Sequence, residues 1–396
     1  MLLNNERMRA AMSAHQINAI VATAPENVLY TSGFWSLPQW IRRGPQAFVV
    51  WAAGDAEEQP VVIAATSTLD LVADQRVAAT IRRYGAFPID CAPSIKLDPV
   101  SAHQAALHAL ADDGDPIRSL VLEIRQAGLE KARIGIDEMG LLPGDTERLR
   151  SDLPDVVWVM AASIFRYIRA VKTPLEIDRL RTVAAITERS VAAALAVATE
   201  GVTEIELGRA FHTQTVREDA FPVLGCIGFG ERSALMNVQP SERRLRHGDI
   251  IRFDVGGHYC NYRADIARIA SLGSPSTEIQ AKYDALNKGV QRGIELIRPG
   301  VAARNVFQAV VETVRREGIA QYQRSHVGHG IGLDGYDAPL LSGTSSDVLE
   351  EGMVVCIETP YYELGRIGLQ VEDMLVVRAD GAEMLSNNGD SMMVLG

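Results

Sequence analysis

Cysteine is scarce: four residues in 396, at positions 91, 226, 260 and 356, none in a C-x-x-C pair. This excludes a disulfide framework and a cysteine-based zinc site, and points to a reducing, cytoplasmic setting. Basic charge is also in deficit. The 39 lysines and arginines face 50 acidic residues, for a net charge of −11, the opposite of the basic surface that nucleic-acid binding requires. Long apolar runs are missing too. Val191 to Ala198 is the longest, far below the ~20 residues of a membrane span. The opening MLLNNERMRAAM turns polar within four residues and carries no apolar export core. The expected partner is therefore neither nucleic acid nor membrane but a peptide or small molecule.

What is present is an ordinary globular balance, 47% hydrophobic and 22% charged, over a length that suits two domains. Residues 7–16 predict an amphipathic helix feeding a strand over 18–23, with a turn at Pro25-Glu26-Asn27. Apolar runs at 47–52, 60–65, 133–136 and 156–160 alternate with helix-like stretches at 68–79, 99–112 and 117–131. That alternation predicts an α/β sandwich over residues 1–168 with a mostly parallel or mixed sheet. Thr173-Pro174-Leu175-Glu176 offers an N-cap, a proline at the first helical position and a capping-box glutamate, so a helix starts there and runs to about residue 199. The domain boundary is expected near 165–173. From 169 to 396, strands at 249–257, 262–271, 353–360 and 368–379, with helices near 278–297 and 302–317, predict an α+β domain.

The chemistry-bearing residues sit in this second part. Asp254 in IIRFDVGG and Asp265 in NYRADIAR are eleven residues apart, a spacing that suits two adjacent antiparallel strands. His329 lies in HVGHGIGLDG, and Glu358 and Glu372 lie on two later strands, CIETP and LQVEDM. Burying four carboxylates together is costly unless divalent cations offset their charge. Read singly, each is an ordinary turn, strand-end or solvated acid. As a set they predict a metal centre.

The set resembles the metallopeptidase family with the pita-bread fold, which includes methionine aminopeptidase, aminopeptidase P, prolidase and creatinase. RMRAAMSAHQINAIVATAPENVLYTSGF is similar to the start of the creatinase-type N-terminal domain, and IRAVKTPLEIDRLRTVAAIT to the family's interdomain helix. The resemblance covers the whole chain. It implies a creatinase-like α/β domain over 1–168 and an α+β pita-bread catalytic domain over 169–396. It further implies two divalent metal ions, with Asp254 on one, Asp265 and Glu372 bridging both, and His329 and Glu358 completing the site. Manganese is the first choice by ligand hardness, with cobalt, zinc or iron as alternatives. Such a pair activates water and polarises a scissile carbonyl, and Glu358 would serve as the base that carries the proton to the leaving nitrogen. The implied activity is cleavage of the Xaa-Pro bond of short peptides, dipeptides above all, by a cytoplasmic homodimer.

Departures from the family pattern bear on the substrate. Asn237 and Tyr336 stand where the family usually has histidines, and Gln370 where an arginine commonly precedes the last glutamate. Asn237 and Tyr336 still carry donors for an oxyanion. Tyr362 is expected to orient the site and His326 to line the cleft, while His258 reads as a surface hairpin residue. Arg243, Arg244 and Arg246 read as a solvated turn. Gly330 to Gly335 satisfies GxGxxG but no helix follows, which argues against a dinucleotide site. Trp35 and Trp40 are expected at a subunit contact or at the cleft mouth. Two other functions stay open: a pita-bread enzyme acting on a small non-peptide amide or osmolyte, and a metal-free binding protein of the same fold.

Overall fold

The short β-branched runs of the first half become strands: β1 Ala19–Ala22, β2 Phe48–Ala52, β3 Val61–Ala65, β4 Thr80–Tyr84, β5 Arg133–Ile136 and β6 Val157–Met160. The structure, a computed structural model, describes residues 2–41, 44–53, 59–91, 94–386, 389 and 391–396. The chain divides into two units, Met1–Ile168 and Arg169–Gly396. In the first, the strands form one mixed sheet in the order β4-β3-β2-β1-β5-β6, antiparallel at β1/β2 and β2/β3 and parallel elsewhere. Val21, Phe48, Ile63 and Ile134 pack there with Ile117, Leu120 and Ile124 of the helix Pro116–Gln126.

Two readings of this unit need correction. Pro25-Glu26-Asn27 is not a turn but the first turn of a helix, Pro25–Ser32. Its cap comes from far along the chain: the buried Asp137 carboxylate accepts from Thr23 N, Ala24 N and Asn27 Nδ2 at 3.3, 2.8 and 2.8 Å. The stretch 68–79 is helical only over Leu69–Asp74 and then yields to β4. The tryptophans separate as well. Trp35 is half-buried, its backbone bonded at both ends by Gln75, whereas Trp40 is 75% exposed.

In the second unit the chain runs through β7 Phe221–Phe229, β8 Ile250–Tyr259, β9 Tyr262–Arg263, β10 Ile266–Leu272, β11 His326–Gly330, β12 Asp337–Ser342, β13 Val354–Glu358, β14 Tyr361–Glu363, β15 Ile367–Leu369 and β16 Glu372–Arg378. The large sheet has the order β12-β11-β13-β16-β10-β8-β7. Val355, Ile357, Leu375 and Val377 join a core with Leu286, Val290, Val306 and Val310 of the helices Thr277–Leu296 and Ala303–Arg316. Strand alternation therefore turns Cys356 and Glu358 to the opposite face. The GxGxxG stretch leads from β11 into β12 rather than into a helix. His258 does lie in a hairpin, opposite Arg263 of β9, but it is half-buried rather than at the surface and stacks on Phe221 of β7, with ring centroids 5.1 Å apart. Arg243 is no solvated turn residue either: its side chain is 11% exposed and clasps Glu231 and Asp249.

The helix Pro174–Leu195 starts on the predicted capping box, Glu176 Oε2 accepting from Thr173 N at 2.8 Å. The other oxygen of Glu176 accepts from the Tyr262 hydroxyl at 3.0 Å, which ties the helix start to β9. Burial pushes the Glu176 carboxyl up from 4.5 to about 7, against the opposing effects of the Lys172 charge and these hydrogen bonds. A raised folded value means the unfolded chain loses this proton first, so its contribution to stability is complete below about pH 4.5 and is lost as pH rises to about 7. Glu176→Gln should flatten that window, removing a slope of up to about 1.4 kcal/mol per pH unit. Denaturant unfolding of both proteins at pH 4.5 to 8 checks it, and parallel curves would exclude Glu176 as the source.

Candidate metal centre

Register alone brings the acids together. Asp254 on β8 lies opposite Ala267 on β10, Ala267 lies opposite Glu372 on β16, and Glu372 lies opposite Glu358 on β13. One row thus crosses four strands. Asp265 precedes β10 by one residue, and His329 on β11 is the cross-strand partner of Cys356 on β13. Two glycines permit the approach of these strands. A Cβ on Gly256 would meet the Ala264 carbonyl oxygen at 1.8 Å, and one on Gly328, at φ 150°, would meet the Cys356 oxygen at 2.2 Å.

Ligand atoms of Asp254, Asp265 and Glu372 lie within 4.8 Å of one another, as do those of His329, Cys356 and Glu372. His329 Nε2 stands 3.8 Å from Asp265 Oδ2 and 4.0 Å from Glu372 Oε1. His326 Nδ1 is 3.1 Å from Glu358 Oε1. Gln370 Nε2 donates to Glu358 Oε2 at 3.4 Å and to Glu372 Oε2 at 3.3 Å. The Tyr336 ring stacks on His329, centroids 4.0 Å apart, and the adjacent Asp337 is held by Arg169 at 2.8 Å and Lys172 at 3.6 Å. Tyr362 reaches the cluster indirectly, its hydroxyl donating to Gln370 Oε1 at 3.2 Å. Asn237 stands exposed beyond the helical turn Gly230–Ala234. Cys356 and Arg252, whose Nη1 lies 3.3 Å from Asp254 Oδ2, escaped the sequence reading. The signal for Arg252 was visible: one charged residue inside the apolar run IIRF.

The residues fit a cation. Asp265 Oδ1 and Glu372 Oε1 are buried with no hydrogen-bond partner among the described residues, a costly state for carboxylate oxygens unless something positive meets them. Burial, then the charges of the neighbouring carboxylates, pushes Asp265 and Glu372 well above the usual range, and burial pushes Asp254 to about 6. Burial also acts to raise Glu358, but the adjacent His326, with His329 and Arg324, outweighs it and holds that carboxyl below its ordinary value.

Residues 178–379 match metallopeptidase family M24, and residues 5–171 match the creatinase/prolidase N-terminal domain. The chain belongs to metallopeptidase family M24. Its fold is accordingly a creatinase-type domain followed by a pita-bread domain. A Mycobacterium tuberculosis protein named "Probable dipeptidase PepE" is 33% identical over 247 residues, 62% of this chain and 66% of that protein. The match thus spans just under two thirds of that relative. Among solved structures, dipeptidase PepE from Mycobacterium ulcerans superposes with a TM-score of 0.79 at 24% identity, over 98% of this chain and 96% of that one. The Xaa-Pro dipeptidase from Bacillus anthracis gives 0.79 at 22% identity over 98% of both.

A divalent cation that binds only the folded centre should stabilise the family member described here. At 100 times the dissociation constant the gain is about 2.7 kcal/mol, read as an upward shift of the melting temperature with manganese. Glu372→Gln, which removes a charge from both groups of ligand atoms, should lose most of that shift. An equal shift in parent and variant would take Glu372 out of the centre.

Proposed function

We propose that the chain is a dinuclear metallohydrolase that cleaves the Xaa-Pro bond of short peptides, dipeptides first. The observation that carries this reading is the pair of buried oxygens on Asp265 and Glu372 that have no hydrogen-bond partner among the described residues, in a cluster with Asp254 and His329 and with Glu358 opposite Glu372. Asp265 and Glu372 would be shared between two cations, with Asp254, His329 and Glu358 as the remaining ligands. The bound cations, manganese first for a carboxylate-rich donor set and otherwise cobalt, zinc or iron, would supply water activation and carbonyl polarisation.

The protein's own groups do the rest. Glu358, held in its ionised form, accepts the proton of the attacking water and delivers it to the leaving nitrogen. His326, 3.1 Å from Glu358 Oε1, orients that carboxylate. The Tyr336 hydroxyl is pushed above its ordinary value by burial and the nearby acids, so at neutral pH it keeps its proton and donates to the developing oxyanion. Tyr336 as a whole is 54% exposed, so substrate can reach it, and exposed Asn237 supplies a second donor. A cytoplasmic homodimer completes the reading, with Trp40 as its candidate contact. Hydrolysis of a small non-peptide amide is the second reading, favoured by Asn237 and Tyr336 at positions of usual histidines.

A panel of Xaa-Pro dipeptides, longer Xaa-Pro peptides and small amides, assayed with and without chelator, tests the reading. Dipeptide turnover should vanish on chelation and return with manganese. Tyr336→Phe should lower kcat about 10- to 100-fold with little change in KM, less than the 10²- to 10³-fold typical of a lost oxyanion donor, because bound cations share the charge. Turnover by the chelated protein would sink the mechanism, and turnover of amides alone would transfer the assignment to the second reading.

A further inference from the structure

Arg252 interrupts apolar β8 two residues before Asp254 and is 0% exposed. All five of its N–H groups find acceptors. Nε donates to the Ser233 carbonyl at 2.8 Å, and Nη2 to the carbonyls of Leu235 and Met236 at 2.7 and 2.9 Å. Nη1 donates to Gln370 Oε1 at 2.8 Å and to Asp254 Oδ2 at 3.3 Å. The guanidinium carbon also lies 5.2 Å from the centroid of the Tyr362 ring. A lysine, with three donors on one nitrogen, cannot serve acceptors spread this widely.

Gln370, 3% exposed, passes the constraint on. An arginine offers no acceptor, so the amide oxygen of Gln370 must face Arg252 and its NH2 must face the other way. There it meets Glu358 Oε2 and Glu372 Oε2. The two remaining oxygens are Glu372 Oε1, which has no hydrogen-bond partner among the described residues, and Glu358 Oε1, which lies beside His326. One orientation of one amide thus sorts the oxygens of two facing carboxylates.

We propose that Arg252 and Gln370 are a positioning pair that selects which oxygen Glu358 and Glu372 each present to bound cations, while Arg252 also holds segment 233–236 beside the centre. The pair stands in for the cation that position 370 lacks, with the guanidinium supplied from β8. This rests on the metallohydrolase reading above.

Manganese titration of the metal-stripped full chain by calorimetry tests the pair, with kinetics at saturating manganese. Gln370→Leu leaves the three carbonyl bonds of Arg252 in place. It should weaken manganese binding about 10- to 100-fold, the range for groups that orient metal ligands, with KM unchanged. Arg252→Gln should weaken binding similarly, and the double variant Arg252→Gln, Gln370→Arg, which moves the guanidinium across to position 370, should recover affinity. A structural defect alone would not be rescued in that way. Parental affinity in Gln370→Leu overturns the pair and leaves the metallohydrolase reading standing, whereas a parent that binds no manganese overturns both. A double variant that melts like the parent yet recovers no affinity overturns the role of Arg252. If the Arg252 variants do not fold, Gln370→Leu decides alone.

Discussion

Mutual repulsion among buried carboxylates is the constraint on which the second unit depends. Asp254, Asp265, Glu358 and Glu372 converge through strand pairing, so separating them would mean breaking the sheet. The nearby positive groups do not cancel the excess. Arg252 touches Asp254 and Arg268 pairs with Asp373, while Asp265 and Glu372 remain pushed well up by burial and by the charges of neighbouring carboxylates, Asp254 and Glu358 among them. Such a cluster is tolerable protonated or with cations bound, and only the second state is useful at neutral pH.

The scaffold around the cluster is closely packed. Gly256 and Gly328 allow backbone contacts that no side chain would permit. The loop after His329 is anchored by the Asp337 ion pairs in the interior, and that anchoring sets Tyr336 over the imidazole. Two of the three positions at which the sequence departs from the expected family pattern make contacts at the centre. Gln370 is served by Arg252 and Tyr362, and the Tyr336 ring stacks on His329.

Much of this was legible in the sequence because it is local or periodic. Thr173 to Glu176 spells a capping box, and the eleven-residue spacing of Asp254 on β8 and Asp265 just before β10 follows from the antiparallel pairing of those strands. What sequence reasoning missed depends on distant partners. The sequence suggests a turn at Pro25 because the cap of that helix is a carboxylate at another strand's end, and β4 carries no strand signal because Thr80–Tyr84 holds arginines whose partners lie elsewhere in the fold. Arg243 looked solvated because Glu231 and Asp249 are brought to it only by the turn it closes. Arg252 stands out in the apolar run IIRF, but its partners do not, since of its five acceptors only Asp254 is near in sequence.

The cap on the Pro25 helix also has a bearing on the order of assembly. Asn27 and Asp137 are 110 positions apart, yet the same carboxylate oxygen serves Ala24, Thr23 and Asn27. During synthesis the first strand and helix emerge long before the residue that satisfies their exposed donors. Until β5 pairs alongside β1, that helix start must be served by water alone. Closure of the N-terminal sheet is therefore a late, non-local event, of the kind that slows folding and leaves an early segment dependent on a distant one.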